Sequence, residues 1–290
     1  MPIANGSSAP RHQQKIRFIM TDEQTERYYR QILLKEIGAE GQRRLMSAKV
    51  LVVGAGGLGS PAALYLAAAG VGRLGIVDFD EVDRTNLQRQ ILHSTKDIGR
   101  KKVESAAERI AAMNPNVLVD SIHSVEHSDN VQELIRPWDF IIDGTDNAAA
   151  KYLINDACVI EGKPYSHAGV LQFQGQTTTY VPGRSPCLRC IFPYSHERGG
   201  PSCDTAGVIG GVCGVIGTLQ AMEAIKYIVG AGRLLTGRLL FYDALKVRFH
   251  EVRLPPPGGS CPVCGKNPSI TQPIDLDNCS RRLLFRQTHL

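Results

Sequence analysis

The chain has 290 residues, enough for one large domain or two small ones with a sizeable core. Its 43% hydrophobic and 21% charged residues are the balance of an ordinary soluble globular protein. The net charge of +5, from 33 basic against 28 acidic residues, is too small and too scattered to argue for nucleic acid. It does suit a site for a polyphosphate or an acidic protein partner.

The N-terminus, MPIANGSSAPRHQQKIR, has no apolar segment of the kind a secretory signal needs and reads as a flexible arm over residues 1–26. Met20 leaves the first 19 residues as a dispensable tail or a misplaced start. From Lys49 strands and helices alternate. KVLVVG is a short apolar β-branched run, the signature of a buried parallel strand. Residues 60–70 read as a helix, with Ser60 as its cap, Pro61 in its first turn and Gly70 ending it. RLGIVDFD is a second strand that ends in acid. An amphipathic helix over 100–113 stops at Asn114-Pro115, a strand covers 117–122, and a short helix covers 130–135. WDFIIDGTDN is a strand running into a loop, and 148–161 is a helix. This succession predicts a Rossmann-like α/β fold, a mainly parallel sheet with helices on both faces.

After Pro164 the texture changes. GVLQFQGQTTTYVPG alternates and is Thr-rich, which predicts antiparallel strands. Residues 185–205 are a loop rich in Cys, Pro and Gly. The apolar run over 206–230 is rich in glycine, carries Gln220 and reaches Glu223, so it reads as a buried core helix and not a membrane span. GRLLFYDALKVRFHEVRL predicts two strands with a turn near Ala244. There is no internal repeat and no linker, so one continuous domain is expected over 27–265, with a tail over 266–290.

Gly54, Gly56 and Gly59 fit G-x-G-x-x-G between a strand and a helix. Such glycines allow a tight turn and close backbone approach, and the helix N-terminus offers N–H groups to a phosphate. Asp78, ending the next strand, can take both ribose hydroxyls. Alone, this says only that an adenosine nucleotide binds. Beyond it come Asp80, then Asn86 and Arg89 in TNLQRQ, then Lys102 in GRKKVESA. An NAD-dependent oxidoreductase, the rival reading, needs an apolar slot for its nicotinamide ring, not converging cations. Adenylation builds negative charge on phosphate oxygens, which preorganised Arg and Lys stabilise.

Four of the eight cysteines form two CxxC pairs, Cys187/Cys190 and Cys261/Cys264. With no export signal this pattern favours a closed, structural zinc site over disulfides. The ion would staple the end of the chain to the loop after the sheet. Cys158 and Cys213 read as core thiols, and Cys279 has no informative context. Among the histidines, His167 follows a predicted strand and reads either as a pocket-lining residue or, better, as a satisfied loop residue, and His93, His123, His127 and His196 as surface residues. Trp138 reads as packing.

The chain resembles the ThiF/MoeB/HesA family, bacterial relatives of ubiquitin-activating enzymes. The resemblance rests on RYYRQILL, on GAGGLGSPAALYLAAAGVGRLGIVDFDEVDRTNLQRQ, on GRKKVESA, DGTDN, CLRC, AGVIGGVCGVIGTLQAMEAIK and CPVCG, between Tyr28 and Gly265. It implies that ATP sits on the glycine turn, including Gly57, with Asp78 on the ribose and Asn86, Arg89 and Lys102 on the phosphates. It implies that Asp146, followed by Asn147, stands near Mg²⁺ and the α-phosphate. It implies that Arg30 reaches into the ATP site of a second subunit, hence a homodimer with composite sites. The implied reaction is adenylation of the C-terminal glycine of a small ubiquitin-like sulfur carrier ending in Gly-Gly. A sulfur donor, a cysteine desulfurase or a rhodanese, then supplies the thiocarboxylate sulfur. Cys203 matches a cysteine that some members use as a nucleophile or sulfur relay; it reads either so or as an idle exposed thiol. Many relatives carry a rhodanese domain after the last CxxC; with about 25 residues following Cys264, none is expected here. A cytoplasmic location is expected, with no membrane and no nucleic-acid partner. Within the family, the alternative is adenylation of tRNA threonylcarbamoyladenosine.

Overall fold

The computed structural model describes residues 20–193 and 206–276, so Cys203, His196 and Cys279 lie outside the described residues. Eight strands form one sheet: β1 Lys49–Val53, β2 Arg73–Val77, β3 Leu118–Ile122, β4 Phe140–Asp143, β5 Tyr165–Leu171, β6 Gln174–Tyr180, β7 Arg238–Asp243 and β8 Arg248–Arg253. Their spatial order is β3-β2-β1-β4-β5-β6-β7-β8. β1 pairs in parallel with β2 on one side and β4 on the other; β2 with β3 and β4 with β5 are also parallel. From β5 onward every pairing is antiparallel. The chain order therefore reverses at β1. In an open α/β sheet, the crevice outside the carboxyl ends of the strands at that reversal is where ligands bind.

The central strands are unbroken apolar runs because both faces are covered. Val50 and Val52 of β1, with Phe140 and Ile142 of β4, face one core. Leu51, Val53 and Ile141 face the other. Helices α1 Asp22–Ile32, α2 Gly38–Ser47, α3 Gly59–Ala68, α4 Lys102–Met113, α5 Val131–Ile135, α6 Ala148–Ile160, α7 Leu188–Ile191 and α8 Gly210–Val229 surround the sheet. α3, α4 and α8 cover the first core, and α5 and α6 the second. By length and composition α8 could cross a membrane. Instead it packs against α3 and the sheet, where its buried Gln220 and Glu223 side chains bond, although Gln220 Oε1 has no partner among the described residues. Gln220 Nε2 donates to the carbonyls of Asp143 and Ser166, and Glu223 accepts from Thr179 Oγ1 and Leu235 N.

Three local expectations change. The arm expected over 1–26 ends sooner, since residues 22–26 already belong to α1, started by a reciprocal cap between Thr21 and Gln24. Neither α1 nor α2 was expected as a helix. α3 begins at Gly59 with Leu58 as its cap residue, so Ser60 is a buried first-turn residue and not the cap. The expected tail starts as ordered chain: Ile270 N donates to Pro262 O, and Ser128 N and Oγ donate to Asp275.

The glycine turn is a backbone packing problem. Gly54 has φ +92°, in the left-handed region, and a Cβ on Gly59 would stand 1.8 Å from the Gly54 carbonyl oxygen. Only a bare Cα lets α3 start this close to the end of β1. Replacing Gly59 with Ala is expected to destabilise the fold by about 3 kcal/mol or more, at the severe end of overpacking, as read by chemical denaturation.

Candidate functional site

A cavity opens where β1, β2 and β4 end. Its floor is the glycine turn, with Gly54, Gly56 and Gly57 in the lining. Asp78 and Asp80 line it from the end of β2, Arg89 and Lys102 from the segment that follows, and Asp146 and Asn147 from the end of β4. Gly59 lies just beneath, in the first turn of α3. Asn86 and Arg30 are not in this lining. Asn86 acts through its backbone, its carbonyl accepting from Arg89 N and Gln90 N. Asn147 lines the cavity while capping α6, its Oδ1 accepting from Ala150 N at 2.9 Å.

Asp78 is held rigidly. One carboxylate oxygen accepts from Ala55 N at 2.8 Å and the other from Asp80 N at 2.9 Å. Burial raises its pKa above the ordinary aspartate value, against the opposing pull of Lys102. Lys102, 4% exposed, donates to Asp80 Oδ2 at 2.8 Å and stands 3.9 Å from Asp78. Among the described residues Arg89 is tethered by one bond, Nη1 to Thr85 O at 3.2 Å, which leaves further guanidinium donors.

The wall between β4 and β5 holds residues that the sequence reading passed over. Asp143, fully buried, lies 3.1 Å from Lys151 Nζ, which also donates to Ala168 O at 2.7 Å. His167 is not a loop residue: it sits buried in β5, and its Nδ1 lies 2.9 Å from Asp143 Oδ2. Burial alone would raise the Asp143 pKa, but Lys151 and His167 hold it below the ordinary range. Burial lowers the His167 pKa, so the ring is neutral and donates Nδ1–H to the carboxylate. The signal in the sequence was the acid closing the apolar run FIID. His93 is likewise corrected from surface to core: its ring nitrogens meet Ser105 Oγ at 2.9 Å and Ala55 O at 3.0 Å. His123 and His127 are exposed as expected, and Trp138, Cys158 and Cys213 are buried as expected.

The four CxxC cysteines converge, with all four sulfurs within 4.8 Å of one another. Their closest pairs are 3.3 Å (Cys190–Cys264) and 3.6 Å (Cys187–Cys261). The cluster can hold a metal ion, and its loop is anchored to α6. Arg189 makes a bidentate ion pair with Asp156, both bonds 2.7 Å, and Asn155 Oδ1 accepts from Leu188 N.

A model of the ThiF family matches residues 28–263. The chain is 44% identical over 273 residues to the adenylyltransferase and sulfurtransferase MOCS3 of Aedes aegypti, covering 93% of this chain. It spans only 62% of that relative's length. It is 48% identical over 246 residues to the SAMP-activating enzyme E1 of Haloferax volcanii, covering 84% of this chain and 90% of the relative. It is 44% identical over 265 residues to the sulfur carrier protein adenylyltransferase of Thermus thermophilus, covering 89% of this chain and 97% of that protein. Among solved structures, E. coli MccB with MccA superposes with TM-score 0.73 at 26% identity, over 83% of this chain and 74% of that one.

Lys151 is the only side-chain cation within bonding distance of Asp143 among the described residues. Replacing Lys151 with Met should therefore cost about 3–5 kcal/mol, the range for stranding one member of a buried pair. Denaturation of the purified variant checks this.

Proposed function

The chain belongs to the ThiF family, and from that premise we propose that it uses ATP to adenylate the C-terminal glycine of a ubiquitin-like sulfur-carrier protein. The observation that carries the reading is the cavity at the strand-order reversal, where a glycine turn, a fixed carboxylate and three cations meet. The lining fits a nucleotide. Gln90, 4% exposed on the cavity wall, has an Oε1 with no partner among the described residues, an acceptor that a bound ligand can complete. A nicotinamide would need an apolar slot; here Arg89, Lys102 and Lys151 face Asp78, Asp80, Glu126 and Asp146.

In this reading Asp78 holds the ribose hydroxyls through the lone pairs its two backbone donors leave free. The N–H groups at the start of α3 receive the phosphates. The carrier's terminal carboxylate is already ionised at neutral pH and needs no base. Its oxygen bonds to the α-phosphorus as the bond to pyrophosphate breaks, giving an acyl-adenylate. Arg89 and Lys102 meet the charge that builds on the phosphate oxygens. Magnesium, held by Asp146 and phosphate oxygens, would neutralise the triphosphate. A persulfide donor of the cysteine desulfurase or rhodanese class then displaces AMP.

Two further readings are proposals of the same kind. Arg30 is exposed on α1 beside Tyr29, Leu33 and Leu34, which are 51–59% exposed. A second copy packed on that face would cover the apolar groups and carry Arg30 to its partner's cavity. Zinc is the ion that suits the cysteines, since tetrahedral Zn–S bonds of about 2.3 Å set sulfurs about 3.8 Å apart. A reducing compartment, the cytoplasm, keeps the thiolates available.

ATP–pyrophosphate exchange should appear only when a Gly-Gly carrier is added, and Asp146→Ala should lower it about a hundredfold or more. Exchange that ignores the carrier's terminus would reject the reading. Mixing Arg30→Ala with Asp146→Ala protein should restore roughly a quarter of wild-type activity, the share of intact sites in random twofold dimers. No recovery would reject donation across the interface. Elemental analysis should find about one zinc per chain, lost on Cys264→Ser; a metal-free protein with four reactive thiols would reject the zinc assignment.

A further inference from the structure

Another cavity opens at the far end of α8. Cys213 of α8 lines the nucleotide cavity and Lys226 lines this one. From residue 213 to residue 226 the helix rises about 20 Å. Four cations surround the opening: Arg184 after β6, Lys226 in the last turn of α8, Arg233 in the loop that follows, and Arg238 at the start of β7. Among the described residues its lining has no carboxylate. The nucleotide cavity, in contrast, sets its cations against Asp78, Asp80, Glu126 and Asp146.

Two of the four cations are engaged. Lys226 pairs with the buried Glu223 and donates to Arg233 O at 2.8 Å. Arg238 pairs with both oxygens of Glu251, at 2.8 and 2.7 Å, and donates Nη2 to Leu234 O. The other two, Arg184 and Arg233, are exposed and make no ion pair or side-chain hydrogen bond among the described residues. The backbone adds donors. The N–H groups of Gly232, Arg233 and Leu234, all in the lining, have no acceptor among the described residues. Gly232 has φ +67°, and successive N–H groups beside a left-handed residue form anion-binding concavities. A helix C-terminus opposes an anion through its bare carbonyls. Here Lys226 O accepts from Gly230 N and Ala231 N, and Val229 O accepts from Arg44 Nη1.

We propose that this cavity is a second anion site, remote from the nucleotide cavity, that takes a phosphate chain: pyrophosphate itself or the phosphates of a nucleotide. The donors decide between phosphate and carboxylate. A carboxylate offers two oxygens, and one guanidinium fork satisfies both. Two free forks and three backbone N–H groups exceed that capacity. A phosphate chain has the oxygens to use them, and its charge suits four cations that face only two carboxylates, Glu223 and Glu251.

Calorimetric titration of pyrophosphate at low ionic strength tests this. The Arg89→Gln protein weakens the nucleotide cavity and should still bind pyrophosphate. Adding Arg184→Gln and Arg233→Gln to it should weaken that binding by about tenfold or more. Adding Lys35→Gln and Arg109→Gln instead removes the same charge elsewhere and should change it by about twofold or less. Malonate should bind the Arg89→Gln protein at least about tenfold more weakly than pyrophosphate. ATP that binds there as tightly as pyrophosphate supports recognition of the chain alone, and tighter binding supports a nucleotide as its source. An Arg89→Gln protein that binds no pyrophosphate, an Arg184/Arg233 replacement without effect, or an equal loss in the charge control overturns the site. Malonate bound as tightly as pyrophosphate overturns the phosphate assignment. Failure of carrier-dependent exchange would reject adenylation and leave this site standing, since none of its residues lines the nucleotide cavity.

Discussion

The carboxylate of Asp143, sealed from water at the end of β4, must be neutralised, and four elements are disposed around that need. Lys151 reaches it from α6 and His167 from β5; Thr145, two residues on, donates both N–H and hydroxyl to its Oδ1. Gln220 of α8 donates to the Asp143 backbone carbonyl. Removing an ion from water costs several kcal/mol, and pairing returns that only with good geometry and full hydrogen bonding. The arrangement is therefore weak as a source of stability and strong as a source of position. It fixes the loop of residues 144–147 from both sides, because Thr145 bonds back to Asp143 while Asn147 caps α6. Asp146, between them, is left exposed on the cavity wall with its backbone held.

The same helix carries the four-cysteine corner. Near its start α6 supplies Lys151 to the cavity wall; one and a half turns later Asn155 and Asp156 hold the CLRC segment. Arg189 also stands 5.1 Å from the Tyr152 ring centroid, so the guanidinium is gripped by charge below and by an aromatic face beside it. From residue 151 to residue 156 the helix rises only about 7.5 Å. A displaced cysteine cluster would pull on Asp156, and α6 would carry that displacement to Lys151 and the β4 loop. The cluster is remote from the chemistry in sequence and close to it mechanically.

What was legible in the sequence followed from period and punctuation. KVLVV, FIID and the alternating TTTY segment each fold as the strand type their pattern predicts, and Asn147 starts a helix and Gly230 stops one where capping chemistry says they should. The glycine turn, Asp78, Arg89, Lys102 and Asp146 could be nominated because a motif names them, and the sheet order then brings them together. The residues missed have no motif. His167 looks like a satisfied loop histidine and His93 like a surface one until strand pairing and the 38-residue reach from Ala55 to His93 bury them. Lys151 looks like a solvated helix lysine, and its role depends on a carboxylate eight residues back that only the end of β4 places beneath it. Local pattern specifies elements; a buried charge pair is specified by which elements meet.

Charge in the cavity is left partly unbalanced, and the imbalance has a direction. Lys102 is nearly spent: buried, it is shared between Asp78 and Asp80, and a phosphate would have to compete with Asp80 for it. Arg89, tethered among the described residues only through Thr85 O, has donors to give. A polyanion entering the cavity therefore meets Arg89 first and draws on Lys102 second, which releases Asp80. Asp78 cannot respond in the same way, because two backbone N–H groups fix both of its oxygens. It stays in place while its neighbour is freed. His93 and Asp78 hold the Ala55 residue from opposite sides, one on its carbonyl and one on its N–H, so the glycine turn keeps its shape while the side chains above it exchange partners. A rigid floor under a redistributable set of charges is what electrostatic stabilisation requires: the dipoles are preorganised, and the free charges are those that the ligand itself rearranges.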